Sequence, residues 1–146
     1  MRMRRAVLMI TNVMFMVVVV TMNAAVEANR KDVDNVFPLK KIVIVRNRLK
    51  AQVKVHCKSK DDDLGVRVLG YNESFHFKFW TALFFRTLFY CSFEWPGSNG
   101  IHWFDIYDDT RNHNDPKTIE WLVKPFGVCM YDIYSLRYDI CTSWKK

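Results

Sequence analysis

The sequence predicts an all-β protein, an antiparallel β-sandwich of seven or eight strands stabilised by disulfides. Three observations lead there. Apolar residues alternate with polar ones at period two in run after run. Those runs are rich in Val, Ile, Phe, Tyr and Trp and are separated by short clusters of Asp, Asn, Pro and Gly. Four cysteines are spread over the last two thirds of the chain, an even number of the kind that staples small exported domains.

The runs follow in order. "IVIV" (42–45) is continuously apolar. "QVKVHC" puts Val53, Val55 and Cys57 on one face and Gln52, Lys54 and His56 on the other. "FHFKFW" sets Phe75, Phe77 and Phe79 against His76 and Lys78. "TLFYCSFEW" aligns Phe89, Cys91, Phe93 and Trp95. "IHWFDIY" (101–107) is less regular. "TIEWLV" groups Ile119, Trp121 and Val123, and "VCMYDIY" and "YDIC" supply the last runs. Turn chemistry lies between them in "KDDDLG" (60–65), "PGSNG" (96–100), "DDTRNHNDPK" (108–117) and "KPFG" (124–127). No segment has the period of an amphipathic helix. The one-sided aromatic faces are expected to fill the layer between two sheets.

The chain has 146 residues, half of them hydrophobic, and suits one domain. Its first 28 residues read as a secretory signal peptide: Arg2, Arg4 and Arg5, then a mostly apolar Ala6–Val20, then small residues before a cut after Ala28. A membrane anchor is the rival reading, but the apolar run is short of the ~20 residues a span needs. Residues 29–146 then form the domain. Removing the leader takes away three arginines and Glu27, so the net charge falls from +7 to +5. The remaining cations are scattered, which gives no nucleic-acid-binding arm. No membrane insertion is expected once the leader is gone, and nothing demands more than a monomer.

Catalytic patterns are missing. There is no phosphate-binding glycine loop, no G-x-S-x-G and no H-E-x-x-H. His56, His76, His102 and His113 share no ligand spacing, and the cysteines form no C-x-x-C pair, which argues against zinc. Asp61, Asp62 and Asp63 are adjacent rather than alternating, which suits a turn better than calcium. Gly65 supplies the residue that takes a positive φ easily. A carboxylate pair for glycoside hydrolysis, Asp63 with Asp105, is the one catalytic arrangement to consider. No enzyme, metal or cofactor is expected. Asn72-Glu73-Ser74 is a glycosylation sequon.

"HCKSKDDDLG" (56–65), "TLFYCSFEW" (87–95), "FDIYDD" (104–109), "GVC" (127–129) and "YDICTSW" (138–144), in that order, resemble the plant self-incompatibility S-protein homologue family. The resemblance covers essentially the whole of residues 29–146. It implies a small secreted plant protein with a disulfide-stabilised β-sandwich, acting in recognition without catalysis or cofactor. By position, Cys57, Cys91, Cys129 and Cys141 match the family's cysteines, and Trp95 and Trp121 its tryptophans. An extra cysteine pair that relatives often carry before that second tryptophan is absent from "PKTIEW". The pairing favoured with the resemblance is Cys57–Cys141 and Cys91–Cys129; the sequence alone allows three.

The function expected is a secreted signalling or recognition ligand that binds a cell-surface receptor through exposed loops. The contact candidates are Asp61, Asp62 and Asp63, and the longest hydrophilic run, with Asp108, Asp109, Arg111, Asn112, His113, Asn114, Asp115 and Lys117. A secreted cell-wall or glycan-binding module is the alternative, with Trp80, Trp103 and Tyr107 as stacking candidates.

Overall fold

The computed structural model describes residues 14–22 and 38–144. The chain falls into two bodies, residues 1–37 and 38–146. Of the first, only residues 14–22 are described, an exposed helix (α1). The leader assigned to residues 1–28 lies mostly outside the described residues. Among those described, no helix is long and apolar enough to cross a membrane.

Among the described residues, the second body is a β-sandwich of nine strands. These are β1 (Lys40–Asn47), β2 (Val53–Lys58), β3 (Asp63–Leu69), β4 (Ser74–Trp80) and β5 (Leu88–Glu94). They continue with β6 (His102–Asp108), β7 (Thr118–Lys124), β8 (Gly127–Asp132) and β9 (Arg137–Ser143). One sheet has the order β4-β1-β7-β8-β9 and the other β3-β2-β5-β6. All neighbours are antiparallel except β1 and β7, which run parallel. A single helical turn, α2 (Asp109–Asn112), joins β6 to β7.

Period-two alternation places the core. Val43 and Val45 of β1, Val53, Val55 and Cys57 of β2, Phe89, Cys91 and Phe93 of β5, and Ile119, Trp121 and Val123 of β7 all meet in one buried cluster. The aromatic faces fill it as expected. Phe77 and Phe79 lie against Phe89 at 5.1 and 4.5 Å between centroids, and Phe104 meets Trp121 edge-on at 4.9 Å. Asn47, fully buried, closes the far end: its amide donates to the carbonyls of Ala51, Leu69 and Gly70, and its oxygen accepts from the N–H of Leu49.

The cysteines pair as Cys57–Cys91 and Cys129–Cys141. This corrects the cross-sheet pairing favoured above. Cys57 stands opposite Cys91 on neighbouring strands β2 and β5, and Cys129 opposite Cys141 on β8 and β9. Cys57 and Cys91 belong to the buried layer. Cys129 pairs in register with Leu122, whose neighbours Trp121 and Val123 point into the core, so the second disulfide lies on the outer face of its sheet. Each bridge therefore staples two strands of one sheet.

The register also sorts the connections. Those at 59–62, 81–87, 109–117 and 133–136 emerge at the end where β1 begins, and those at 48–52, 70–73, 95–101 and 125–126 at the other.

Candidate recognition surface

The end where β1 begins collects both polar stretches that the sequence offers as contact loops. Their side chains are not equivalent. In the first stretch, Ser59 Oγ accepts the N–H groups of Asp61 and Asp62 at 3.2 and 2.9 Å, and the Ser59 N–H donates to the Asp62 carbonyl at 2.8 Å. This closes the turn. Asp63 already belongs to β3. Its carboxylate meets His56 Nε2 at 2.5 Å and Lys58 Nζ at 2.9 Å, and accepts the Gly65 N–H at 3.0 Å. The histidine, the lysine and the backbone N–H hold Asp63 well below the usual carboxylate range. Leu64 and Gly65 stand opposite the single residue Cys57, a β-bulge, and Gly65 has φ +72° there. The motif therefore builds a bulged corner with Asp63 as its fastener. Asp61 and Asp62 remain exposed at the tip.

The second stretch is also built from inside. Lys41 is 2% exposed, and its ammonium donates to the carbonyls of Asn112, His113 and Asp115 at 3.4, 3.1 and 2.7 Å. Burial lowers its pKa, and Asp115 and Asp109 oppose that. Asn112 is fully buried; it accepts the Asp108 N–H and donates to Asp115. Asp108 caps α2 through Thr110 and is gripped by Arg86 through two hydrogen bonds. Asp109 accepts from the Thr87 N–H and from the Tyr107 hydroxyl at 2.8 and 2.7 Å. Arg111 lies over the rings of Phe104 and Trp121 and donates to the Asp105 carbonyl. Of the contact candidates here, Asp108 and Asn112 are buried scaffold residues. His113, Asn114 and Lys117 are exposed.

Between the two stretches lies the 81–87 connection, which the sequence reading passed over. Its tip exposes Leu83, Phe84 at 87% and Phe85 at 81%. Trp80 at its base is exposed too, with Lys40 5.7 Å from its ring centroid. The signal was present: "ALFFR" breaks the alternation with four consecutive apolar residues in what must be a connection. A cavity of about 550 Å³ opens beside this loop. The inward-facing Phe79 and Phe89 lie among its walls, with Phe85 and Leu88, and the Ser59–Asp62 turn forms its other side.

The remaining candidates separate cleanly. Tyr107 is fully buried, so it is no stacking platform; a bulge in β6 turns it inward, opposite Phe89. Trp103 is exposed on the outer face of the four-stranded sheet, with Tyr90 at 6.1 Å. Asp63 and Asp105 lie on the two edge strands of that sheet with β2 and β5 between them. Three strand spacings separate them by about 14 Å, beyond the reach of a glycosidase pair. Asn72 is exposed at the opposite end with φ 68°, and its side-chain oxygen accepts from Arg48 at 2.9 Å.

The sequence model of the family described as plant self-incompatibility protein S1 matches residues 42–144. S-protein homolog 2 of Arabidopsis thaliana is 40% identical over 121 residues, covering 77% of this chain and 74% of the relative. S-protein homolog 3 of Arabidopsis thaliana is 36% identical over 141 residues, covering 92% and 93%. A solved structure of a self-incompatibility protein homologue, from a plant family its description calls small, highly stable and secreted, superposes with a TM-score of 0.54 at 16% identity. The match covers 75% of this chain and 97% of that one, and the likeness extends to the fold.

Proposed function

Because the chain belongs to the plant self-incompatibility protein S1 family, we propose that it is a secreted recognition protein, the ligand of a receptor protein on the cell surface. The leader-like residues 1–28 and the description of the structural relative as secreted support export. The observation that carries the reading is the apolar tip Leu83-Phe84-Phe85, exposed in the middle of one end of a rigid sandwich and flanked by charged turns. An aromatic centre with a polar rim is the anatomy of a protein-binding surface. A glycan on Asn72 would sit at the opposite end and leave this surface open.

The test is binding of labelled mature protein to intact plant cells and to isolated walls, with unlabelled competitor. Saturable, competed binding to cells and not to walls is the expected result. Binding mainly to walls, released by soluble sugars, would instead assign the protein to glycan recognition, for which the exposed Trp103 beside Tyr90 is the available platform.

A further inference from the structure

The receptor-ligand reading leaves open what chemistry the surface takes, and the cavity at the loop end narrows it. Resting on that reading, we propose that this cavity receives an aromatic or aliphatic side chain of the partner, with a cationic residue next to it in the partner's chain held by Asp61 and Asp62.

Two features of the cavity support this. The first is its apolar wall. Phe79 and Phe89, 4.5 Å apart between centroids, belong to the layer between the sheets, so the cavity gives access to core-like surface. Phe85 and Leu88 extend that wall outward. A volume of about 550 Å³ is in the range of sites that enclose a ligand, and larger than one side chain fills. Phe85 is 81% exposed, an arrangement that a partner's apolar group would relieve.

The second feature is the charge of the rim. Among the described residues, four charged ones border the cavity: Lys60, Asp61, Asp62 and Arg86. Arg86 is committed to Asp108. Lys58, next in sequence to the turn, is committed to Asp63. Within the turn, Asp62 accepts one hydroxyl bond from Ser59, and the Asp61 carboxylate has no protein partner among the described residues. With Arg86 and Lys58 engaged elsewhere, the rim carries two carboxylates against Lys60, and Lys40 lies over the wall residue Trp80. An acidic rim beside an apolar wall selects an apolar residue adjacent to Arg or Lys and disfavours one adjacent to Glu or Asp.

The proposal is tested with protein produced from the full chain, exported and labelled with ¹⁵N. It is titrated with the blocked peptides Gly-Phe-Arg-Gly, Gly-Phe-Glu-Gly and Gly-Gly-Arg-Gly and followed by amide chemical shifts. The expected result is saturable shifts confined to residues 59–62 and 79–90 with the Phe-Arg peptide. That peptide should bind at least fivefold more tightly than either of the others. The exposed double variant Asp61→Asn/Asp62→Asn should keep its melting temperature and lose the preference for Arg over Glu. Phe85→Ala should weaken the Phe-Arg peptide at least fivefold. Equal binding of the Phe-Glu peptide, shifts elsewhere, or no saturable shift would overturn the proposal. So would sedimentation with phosphatidylcholine–phosphatidylserine vesicles that Phe84→Ser abolishes, which would give the loop to a lipid surface. The receptor reading is separated by the cell assay. If wild type binds cells saturably and the double variant binds equally well, the cleft proposal falls and the receptor reading stands. If no saturable cell binding occurs while the peptide preference holds, the receptor reading falls alone.

Discussion

Lys41 shows how much of this molecule rests on single buried polar residues. Its side chain leaves the start of β1 on the face that Val43 and Val45 share, and places an ammonium among three carbonyls of the 109–117 connection. A cation there satisfies carbonyls of a connection that has no strand to pair with. Lys41→Met keeps the apolar stem and removes the ammonium; the Asn112 carbonyl keeps the Asp115 N–H, while those of His113 and Asp115 lose this donor. The cost should be about 2–4 kcal/mol from two unsatisfied groups. It should be seen as a lower denaturation midpoint, and amide exchange should accelerate in residues 109–117 while β2 and β5 keep their protection. Equal protection loss throughout would mean that Lys41 supports the whole core and not this loop. Asn47 plays the matching part at the other end, where its amide gathers three carbonyls and fixes the corner between β1, β2 and β3. Asn47→Ala should cost about 3 kcal/mol by the same reasoning. Neither role can be read from the sequence, because "LKKI" looks like a solvated strand start and "VRNR" like a turn.

At the scale of elements, the two disulfides do different work. Cys57–Cys91 joins strands 34 residues apart within the buried layer, while Cys129–Cys141 spans 12 residues on the outer face of the other sheet. By loop closure alone, losing the first should cost about 1 kcal/mol more than losing the second, and the voids left in the core add to that. Paired Cys→Ala variants compared in guanidinium should give this order. Cys57, Cys91 and Cys129 are fully buried and Cys141 is exposed, so limited reduction followed by alkylation should label Cys129 and Cys141 first; labelling of Cys57 and Cys91 first would contradict this ordering. The pairing also marks where the sequence stops being informative. Alternation shows which residues share a face within β2, β5 and β7, and those strands formed as expected. It does not show which face of which sheet a cysteine occupies, and a shift of one residue reverses that. β3 went unread for a related reason: Gly65, Arg67 and two exposed valines leave it without a buried face to betray it. Of the candidate recognition surface, the polar turns were legible and their internal fastening was not. Asp108 and Asn112 look as solvated as Asn114 until the fold supplies Arg86 and Lys41.

At the scale of the whole sandwich, the end where β1 begins is locked by polar groups while its apolar tip stays exposed. Phe84→Ser should therefore leave the melting temperature within about 2 °C, since an exposed substitution changes stability by only about 0.5 kcal/mol. It should lower saturable cell binding at least tenfold; unchanged binding would take the tip out of the recognition surface. The lock itself has a pH dependence whose sign is fixed by Asp108. Arg86 is the main reason its carboxyl is lowered to about 2, with the Thr110 hydroxyl and N–H adding to the effect. The unfolded chain would titrate near 3.9. A folded pKa below the unfolded one gives stability that is fully present above about pH 4 and is lost as the pH falls through about 2. Because Arg86 belongs to the 81–87 loop and Asp108 to the end of β6, protonation also unties that loop from the second polar stretch. The melting temperature should stay level from pH 7 to about pH 4 and then fall. In Asp108→Asn the level part should be lower and the fall between about pH 4 and 2 shallower, because the amide cannot regain the charge that Arg86 holds. An acid limb of the same steepness in wild type and Asp108→Asn would place the responsible carboxylate elsewhere, with Asp63 at the bulge, also held in its charged form, the next to substitute.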